Sequence, residues 1–309
     1  MGTTVVTGGL GFIGAPLCEA LAARGRRVLC ADSKSGVYAP QRGMAAAERL
    51  RRNPRIEVAE LDAREVRVKD VTAVVHLAAL PGVRSRRPRA QLWRENVALT
   101  ELMAGYAADA GARLVLASSS AVYGNAVLRP TPEHAPTAPL GAYAASKVAA
   151  EAACLRGARA GADVVVTRLF TVFGPGQRPD MAIARWTDAL LRGGILDWHP
   201  HSGGARELTY IDDAVEGLVA ALEHGRAGEI YNIPGSGSHP LDRVLSVLKR
   251  TTGRRARVRA ASPSPSEATV TAACGAKSAN ELGYRPRVSL EDGLRRQVAA
   301  ATGGLGLAA

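Results

Sequence analysis

The stretch Thr3-Thr-Val-Val-Thr-Gly-Gly-Leu-Gly-Phe-Ile-Gly14 decides the fold of this chain. Its first four residues are a β-branched run, which predicts a short buried strand. Gly8, Gly11 and Gly14 then follow at three-residue spacing, and the apolar periodicity from Phe12 to Ala23 predicts a helix. Such a turn lets a pyrophosphate come close to the backbone, and the helix N-terminus offers unpaired N–H groups and partial positive charge. We interpret the stretch as a dinucleotide-binding turn rather than a purely structural one.

Two aspartates follow the next two predicted strands. Asp32 comes directly after the run Arg27–Ala31, where a carboxylate can bond an adenosine ribose and would repel a 2′-phosphate. We therefore expect NAD rather than NADP. Asp62 follows the strand Ile56–Ala59. Its side chain could reach the adenine amino group or could cap the next helix, and the sequence does not separate these two roles.

Strands alternate with helices throughout the first 170 residues. Later strands are predicted at Ala73–Ala79, Arg113–Ala117 and Val164–Thr167, with helices at Met44–Arg52, Leu92–Ala110 and Ala142–Ala160. This alternation predicts an α/β fold with a Rossmann-type doubly wound parallel sheet, which binds ligands beyond the carboxyl ends of its strands. We expect residues 1–170 and elements returning from about 205–240 to form the NAD-binding domain. Residues from about 171 to 204 and from 241 to 309 then form a smaller C-terminal substrate domain.

The composition favours a globular protein with an anionic small-molecule ligand. The 309 residues are 47% hydrophobic, and the formal net charge is +12. The basic residues are scattered, and the one dense cluster, Arg84–Arg89, lacks the interleaved aromatic residues that base stacking requires. We expect no nucleic-acid partner. Without a signal peptide or an apolar stretch of membrane-spanning length, the sequence predicts a cytoplasmic protein that makes no membrane contact.

The cysteines and histidines indicate neither disulfides nor a metal site. The four cysteines lie in apolar contexts without metal-like spacing, so we expect buried free thiols, as in reducing cytoplasm. The histidines form no ligand pattern, and we do not interpret the near neighbours His199 and His201 as metal ligands.

Tyr143 and Lys147 form a Tyr-x-x-x-Lys pair within the predicted helix Ala142–Ala160. Residues four apart project from one face of a helix, so the two side chains are neighbours. A phenol with a reference pKa of about 10 is a poor base at neutral pH, but a nearby ammonium and an oxidised nicotinamide favour the phenolate. We therefore interpret Tyr143 as a general base rather than as half of a surface pair.

These features resemble the extended short-chain dehydrogenase/reductase family, the NAD-dependent nucleotide-sugar epimerases and dehydratases. The blocks that carry the resemblance are Thr7–Gly14, His76–Ala79, Ser118–Gly124, Tyr143–Lys147 and Arg206–Asp213, in family order. The resemblance implies tightly held NAD that is reduced and reoxidised within each turnover. It also implies a homodimer through the helices around Leu92–Ala110 and Ala142–Ala160.

The resemblance also assigns roles to single residues. Ser119 is the catalytic hydroxyl, Tyr143 the base and Lys147 the residue that bonds the nicotinamide ribose. Arg206 matches the arginine that meets the nucleotide diphosphate, a role that suits a bidentate guanidinium. The predicted cofactor contacts are Gly8, Gly11, Phe12, Ile13, Gly14, Asp32, Asp62, Leu77, Ala78, Ala79, Asn96, Tyr143 and Lys147, and the predicted substrate contacts are Arg84, Ser119, Ser120, Tyr143, Thr171, Arg178 and Arg206.

Two further segments, Pro81–Arg84 and Phe170–Ala182, are similar to those of the UDP-glucuronate 4-epimerases. In that subgroup the residues matching Thr171 and Arg178 lie near the sugar carboxylate. An arginine there can hold the carboxylate coplanar with the ring, away from the geometry that expels carbon dioxide. Arg178 could instead meet a phosphate or be an ordinary loop residue.

At several positions the sequence differs from the family pattern, and these differences reduce the number of reactions that we expect. The dehydratases carry an Asp-Glu pair where this chain has Ser120 and Ala121, which argues against dehydration. Pro200–Ala205 replaces the usual Gly-Asp-Gly, and Glu207 replaces a common aspartate, so the nucleotide base is left open. We expect a UDP-glucuronate 4-epimerase that yields UDP-galacturonate. The alternatives are a UDP-glucose/UDP-galactose 4-epimerase, a UDP-glucuronate decarboxylase and a non-catalytic NAD-bound regulator.

Overall fold

The predicted strand, glycine turn and helix open the fold of this computed structural model, which describes residues 2–33, 40–82, 87–198, 204–262 and 264–303. The described strands are β1 (Thr3–Thr7), β2 (Arg27–Ala31), β3 (Ile56–Ala59), β4 (Val71–His76), β5 (Arg113–Ser119), β6 (Val164–Leu169), β7 (Thr171–Phe173), β8 (Ile195–Trp198), β9 (Ala205–Tyr210), β10 (Ile230–Ile233), β11 (Ser238–Pro240) and β12 (Arg257–Ala260). The described α-helices are α1 (Gly14–Ala23), α2 (Pro40–Arg51), α3 (Arg89–Leu92), α4 (Leu99–Asp109), α5 (Gly141–Arg159), α6 (Ala182–Arg192), α7 (Ile211–His224), α8 (Leu241–Thr252), α9 (Ala276–Glu281) and α10 (Leu290–Gly303).

Seven of the described strands form one sheet, in the order β10-β6-β5-β4-β1-β2-β3. Every pairing within it is parallel. The strand order reverses between β1 and β4, and this switch point lies beside the glycine turn, where open α/β sheets bind ligands. The predicted doubly wound parallel sheet is therefore confirmed.

Helices cover both faces of this sheet because alternate strand residues are apolar on both sides. Val6 and its neighbours pack on one face against α1, α7 and the C-terminal helices. Val5 and its neighbours pack on the other face against α4 and α5. Both valines are fully buried. The sheet therefore fixes the carboxyl ends of β1, β4 and β5 relative to α5.

The second half of the chain adds smaller sheets. β11, β9 and β7 form a three-stranded sheet, and β12 pairs with β8. β10 instead returns to the edge of the large sheet beside β6. The division of the chain into two domains stays a prediction.

Several elements differ from the sequence-based predictions. The predicted helix Leu92–Ala110 is instead α3, a π-helical segment from Trp93 to Ala98, and α4. β4 ends at His76, three residues early, because the backbone beyond it turns into the loop that faces the cleft. The short strands β7, β8, β11 and β12 were not predicted.

No helix among the described ranges has both the length and the apolar character that crossing a bilayer requires. All four cysteines are free, and three of them are buried.

Candidate active site

A cleft of about 1850 Å³ lies beyond the carboxyl ends of the parallel strands. It brings together most of the predicted site residues. The predicted residues that line it are Gly8, Gly11, Phe12, Ile13, Gly14, Asp32, Asp62, Leu77, Ala78, Ala79, Ser119, Ser120, Tyr143, Lys147, Thr171, Arg178 and Arg206. Asn96 does not line it, and Arg84 lies outside the described residues. Segments nearly 300 positions apart in the chain therefore share one cleft.

The glycine turn is packed too closely for side chains. A Cβ on Gly14 would lie 2.2 Å from the carbonyl oxygen of Gly8, and one on Gly8, whose φ is +68°, would lie 2.9 Å from the backbone nitrogen of Ala78. α1 and the loop after β4 can approach the turn only because both positions lack a side chain. The N-terminus of α1 thus opens directly onto the cleft, as dinucleotide binding requires.

The two aspartates occupy different positions around this turn. Asp32 accepts a hydrogen bond from the backbone nitrogen of Leu10 at 3.1 Å, which holds its carboxylate beside the turn. Asp62 caps the 3₁₀ turn Ala63–Glu65 and pairs with the Arg64 guanidinium at 3.0 Å. The capping role of Asp62 is therefore present, and a contact with adenine stays a prediction. The cleft fits NAD because a close-packed turn, a helix N-terminus and an acidic residue after β2 all face it.

Asn96 does not line the cleft but contacts Leu80, which does, so its predicted contact with the cofactor stays a prediction. Its side chain is 1% exposed. Its Oδ1 accepts from the backbone nitrogen of Leu80 at 2.7 Å, and its Nδ2 donates to the Leu80 carbonyl and to Ser146 Oγ. These bonds tie the π-helical segment to the Leu80 loop and to α5. The π-helical segment lets Asn96 face the loop, which a plain helical period does not predict.

A second buried polar chain supports the same loop. His76 Nδ1 lies 2.7 Å from Thr7 Oγ1, and His76 Nε2 lies 3.1 Å from Thr100 Oγ1. Thr7 Oγ1 also accepts from the backbone nitrogen of Ala78 at 3.3 Å. Burial, with a smaller effect of the Lys147 ammonium, lowers the pKa of His76 to about 3. His76 is therefore a neutral bridge between β1 and α4.

The predicted catalytic residues come from two neighbouring elements. Ser119 ends β5, and its Oγ accepts from the backbone nitrogen of Ala121 at 3.2 Å. Tyr143 and Lys147 lie one turn apart on α5, and all three side chains line the cleft. Lys147 is 5% exposed, and its Nζ donates to the Ala117 carbonyl at 2.9 Å. Burial lowers the pKa of Lys147 to about 8, while the nearby Glu151 carboxylate opposes that shift.

A buried ion pair beneath these residues was missed in the sequence. Arg168 donates from Nε to Glu151 Oε1 at 3.0 Å and from Nη2 to Glu151 Oε2 at 2.7 Å. Both side chains are at most 5% exposed. Ser118 Oγ also donates to Glu151, and Arg168 Nη1 donates to the Tyr123 hydroxyl at 2.8 Å. The available sequence signal was a single charged residue in each of two apolar segments, Glu151 in the alanine-rich helix and Arg168 directly after the strand Val164–Thr167.

Two of the predicted substrate contacts that line the cleft are arginines. Arg178 makes a bidentate pair with Asp180 at 3.0 and 2.9 Å. Arg206 donates to the Thr269 carbonyl at 2.7 Å and lies 3.9 Å from Glu267. Thr171 begins β7 and lines the cleft between β6 and the connector that carries Arg178. Each arginine therefore has an acidic side chain beside it in the cleft.

Glu207, a departure from the family pattern, has a structural position. It is 3% exposed and accepts from the backbone nitrogens of Gly235 and Ala273, each at 3.1 Å. Burial raises its pKa, and these backbone bonds oppose the rise. Glu207 therefore ties β9 to two distant loops. The segment from His199 to Gly203, which includes His201 and residues 200–203 of the replaced Gly-Asp-Gly region, lies outside the described residues.

Within the described ranges, no cluster of three or more histidine, cysteine, aspartate and glutamate side chains is arranged to hold a metal ion.

Similarity to known proteins agrees with this geometry. A UDP-glucuronate 4-epimerase from Thermodesulfobacterium geofontis is 30% identical over 316 residues, which is 96% of this chain and 95% of that protein. The crystal structure of a UDP-glucuronic acid 4-epimerase from Bacillus cereus, in complex with UDP-glucuronic acid and NAD, is 30% identical with a TM-score of 0.92, and the match covers 97% of this chain and 99% of that one. A dTDP-glucose 4,6-dehydratase from Streptomyces venezuelae, solved with NAD, is 31% identical with a TM-score of 0.91, and the match covers 98% of each chain.

The family profile described as the NAD dependent epimerase/dehydratase family matches residues 4–234. This range contains the glycine turn, the predicted catalytic residues Ser119, Tyr143 and Lys147, and both Arg178 and Arg206. The chain therefore belongs to the NAD-dependent epimerase/dehydratase family.

Proposed function

We propose that this protein is an NAD-dependent UDP-glucuronate 4-epimerase, which interconverts UDP-glucuronate and UDP-galacturonate. The observation that carries the proposal is the single cleft that holds the glycine turn, the Ser119, Tyr143 and Lys147 set, and Arg178. The similarity to UDP-glucuronate 4-epimerases along the whole chain supports the same substrate.

In the proposed reaction, Tyr143 acts on the sugar C4 hydroxyl. Its phenolate takes the hydroxyl proton, and Ser119 donates a hydrogen bond to the same oxygen. The Lys147 ammonium favours the phenolate and bonds the nicotinamide ribose. Bound NAD supplies the hydride acceptor for C4 and then the donor that returns the hydride. Tyr143 gives its proton back to the C4 oxygen when hydride returns to C4.

Inversion at C4 requires the flat 4-keto sugar to turn over inside the cleft. Arg206 holds the diphosphate, so the sugar rotates about that link and presents its other face. Arg178 and Thr171 hold the C5 carboxylate in the plane of the ring. This position keeps the carboxylate away from the geometry for loss of carbon dioxide and separates the epimerase from a decarboxylase.

The alternative reactions make different demands on the cleft. A UDP-glucose 4-epimerase needs no positive group for a carboxylate, and here Arg178 lines the cleft. A dehydratase needs acid and base residues after its hydroxyl residue, and here Ser120 and Ala121 occupy those positions. A non-catalytic NAD-bound regulator has no use for the intact set of Ser119, Tyr143 and Lys147.

We further propose a cytoplasmic homodimer that forms through the outer faces of α4 and α5. These helices pack together on one side of the sheet. Leu102 on α4 is 43% exposed, which is the kind of apolar surface that a second copy of the chain would cover.

The decisive experiment is an assay of the purified protein with UDP-glucuronate and with UDP-glucose, in which the C4 isomers are resolved by chromatography. We expect UDP-galacturonate from the first and little UDP-galactose from the second. Tyr143→Phe should lower kcat at least about 1000-fold with little change in bound NAD, because the general base is lost. Undiminished turnover in that variant, or release of a pentose and carbon dioxide, would reject the proposal.

A further inference from the structure

The buried ion pair between Glu151 and Arg168 lies directly beneath the proposed catalytic lysine. Glu151 follows Lys147 by four residues on α5, so their side chains are neighbours on one helix face. A buried ion pair is weak as a stabilising device, because desolvating two charges offsets most of their attraction. Its position therefore raises the question of what the carboxylate does for Lys147.

We propose that Glu151 is a positioning residue for the reaction: held by Arg168, its carboxylate keeps the Lys147 ammonium charged and fixes the strand end that presents Ser119. This inference rests on the proposed function only where it predicts an effect on kcat. The charge on Lys147 is a property of the protein alone and can be measured without substrate.

The surroundings of Lys147 single out Glu151 as the source of negative charge. Tyr143 precedes Lys147 on the same helix face, and Cys154 follows it. Burial raises the pKa of Cys154 to about 12, so this thiol is neutral. His76, facing from β4, is neutral as well because burial lowers its pKa to about 3. β5 contributes the Ala117 carbonyl, which accepts from Nζ at 2.9 Å.

Arg168 faces Glu151 from β6 and holds both of its oxygens. A carboxylate bound by a bidentate guanidinium stays ionised and keeps one orientation. The same carboxylate accepts from Ser118 Oγ, and Ser118 is the residue before Ser119 in β5. Because successive strand residues point to opposite faces, anchoring Ser118 inward turns Ser119 toward the cleft. The Glu151 carboxylate thus has two effects: it keeps Lys147 charged, and through Ser118 it orients the Ser119 side chain.

The test replaces the carboxylate by an amide of the same shape. In Glu151→Gln the amide oxygen still accepts from Ser118, but the negative charge is gone. The control is Glu216→Gln, which removes a carboxylate from an exposed ion pair with Arg24 Nη2. Lysine occurs only at positions 34, 69, 147, 249 and 277, so the spectrum of the ¹³C-lysine-labelled holoprotein is simple. Comparison with Lys147→Arg assigns the Lys147 signal.

We expect the Lys147 signal to titrate about one pH unit or more lower in Glu151→Gln than in the wild type. It should be unchanged in Glu216→Gln. The alkaline limit of kcat should move down by the same amount, so kcat at pH 8, close to the Lys147 pKa of about 8, should fall about fivefold or more. An unchanged Lys147 titration in Glu151→Gln would overturn the inference even if the protein is an active epimerase. An inactive wild type would reject the proposed function and leave the titration to decide this point.

Glu151→Gln leaves the Arg168 guanidinium buried without its counter-charge, which destabilises the fold. The double variant Glu151→Gln/Arg168→Gln removes both charges and avoids that penalty. If the Glu151–Arg168 pair had only a structural role, the double variant would regain wild-type stability, and its Lys147 titration and kcat would also be those of the wild type. The positioning role predicts that stability recovers while the lowered titration and the lowered alkaline limit persist.

Discussion

At the scale of single residues, Arg178 is the side chain that we propose selects the substrate of this cleft. Its guanidinium is already oriented by Asp180 through two hydrogen bonds. The residue is therefore presented in a fixed direction before any ligand binds. Charged hydrogen bonds of this kind contribute about 1.5 to 3 kcal/mol each.

Arg178→Ala should discriminate between the two candidate sugars. We expect the Kd of UDP-glucuronate, measured by calorimetry, to rise about 10- to 100-fold, since the carboxylate loses a charged partner. The Kd of UDP-glucose should change less than about threefold, because its C6 hydroxyl needs no cation. Arg243→Ala, which removes an exposed pair with Glu291, serves as the control. Equal losses for both sugars would place Arg178 on the diphosphate instead.

His76 should make the protein sensitive to acid. Its pKa is lowered to about 3 in the fold, whereas an unfolded histidine titrates near its ordinary value of 6.5. As the pH falls below 6.5 the unfolded state binds the proton and the folded state does not, so stability is lost down to about pH 3. Between pH 7.5 and pH 5 this residue alone should lower the free energy of unfolding by about 2 kcal/mol.

Urea denaturation at the two pH values checks this loss. His76→Gln, which keeps a donor and an acceptor for the two threonines, should be less stable at pH 7.5 yet show a smaller decrease at pH 5. An identical pH dependence in both proteins would mean that the acid-sensitive group lies elsewhere.

At the scale of elements, the strand, turn and helix at the start of the chain depend on the absence of side chains. A Cβ on Gly14 would lie 2.2 Å from the Gly8 carbonyl, against backbone that has no room to move. Gly157 lies in the last turn of α5, and the nearest neighbour of an added Cβ there would be the Ala162 side chain at 3.9 Å. Substitution by alanine should therefore lower the free energy of unfolding at Gly14 and raise it at Gly157.

Gly14→Ala should lower the free energy of unfolding by about 1 to 3 kcal/mol through overpacking. It should also yield protein purified with little bound NAD, because the turn moves away from α1. Gly157→Ala should instead gain about 0.5 to 1 kcal/mol, since alanine is the better helix former. Denaturation curves and the NAD content per subunit measure both effects. Full NAD content in Gly14→Ala would show that the turn tolerates a wider spacing.

The elements that could be predicted were those with a strong local pattern. A β-branched run located β1, an apolar run located β2, the apolar period located α1, and the alanine-rich composition located α5. The π-helical segment around Asn96 escaped prediction because its geometry is set by the Leu80 loop, which lies elsewhere in the chain. Likewise, the partner of Glu151 could not be read from one helix, since Arg168 meets it only after β6 enters the sheet.

At the scale of the whole molecule, the site was predictable because spaced motifs converge at one edge of a parallel sheet. The order of the motifs along the chain, with the family resemblance, placed the turn, the serine and the Tyr–Lys pair together. The sequence alone did not predict which buried residues hold these motifs in place. His76, Asn96 and the Glu151–Arg168 pair hold those motifs through contacts between residues that are far apart in the chain.

The proposed dimer can be tested on the outer face of α4. Leu102→Glu should convert a particle of twice 32.2 kDa into one of 32.2 kDa, because a charge would be buried in the interface. Light scattering coupled to gel filtration measures the mass. Leu128→Glu, at a residue that is 50% exposed in the loop after β5, should leave the mass unchanged. A wild-type mass of 32.2 kDa would reject the dimer.

The position of β10 at the edge of the large sheet has a consequence for chains that end before it. β10 pairs with β6, although about 60 residues separate them in the chain. While the ribosome is still synthesising those residues, the nascent chain carries β6 as a bare edge, and bare edges recruit other strands. A gene fragment that stops near residue 170 should therefore aggregate rather than yield a separable nucleotide-binding module.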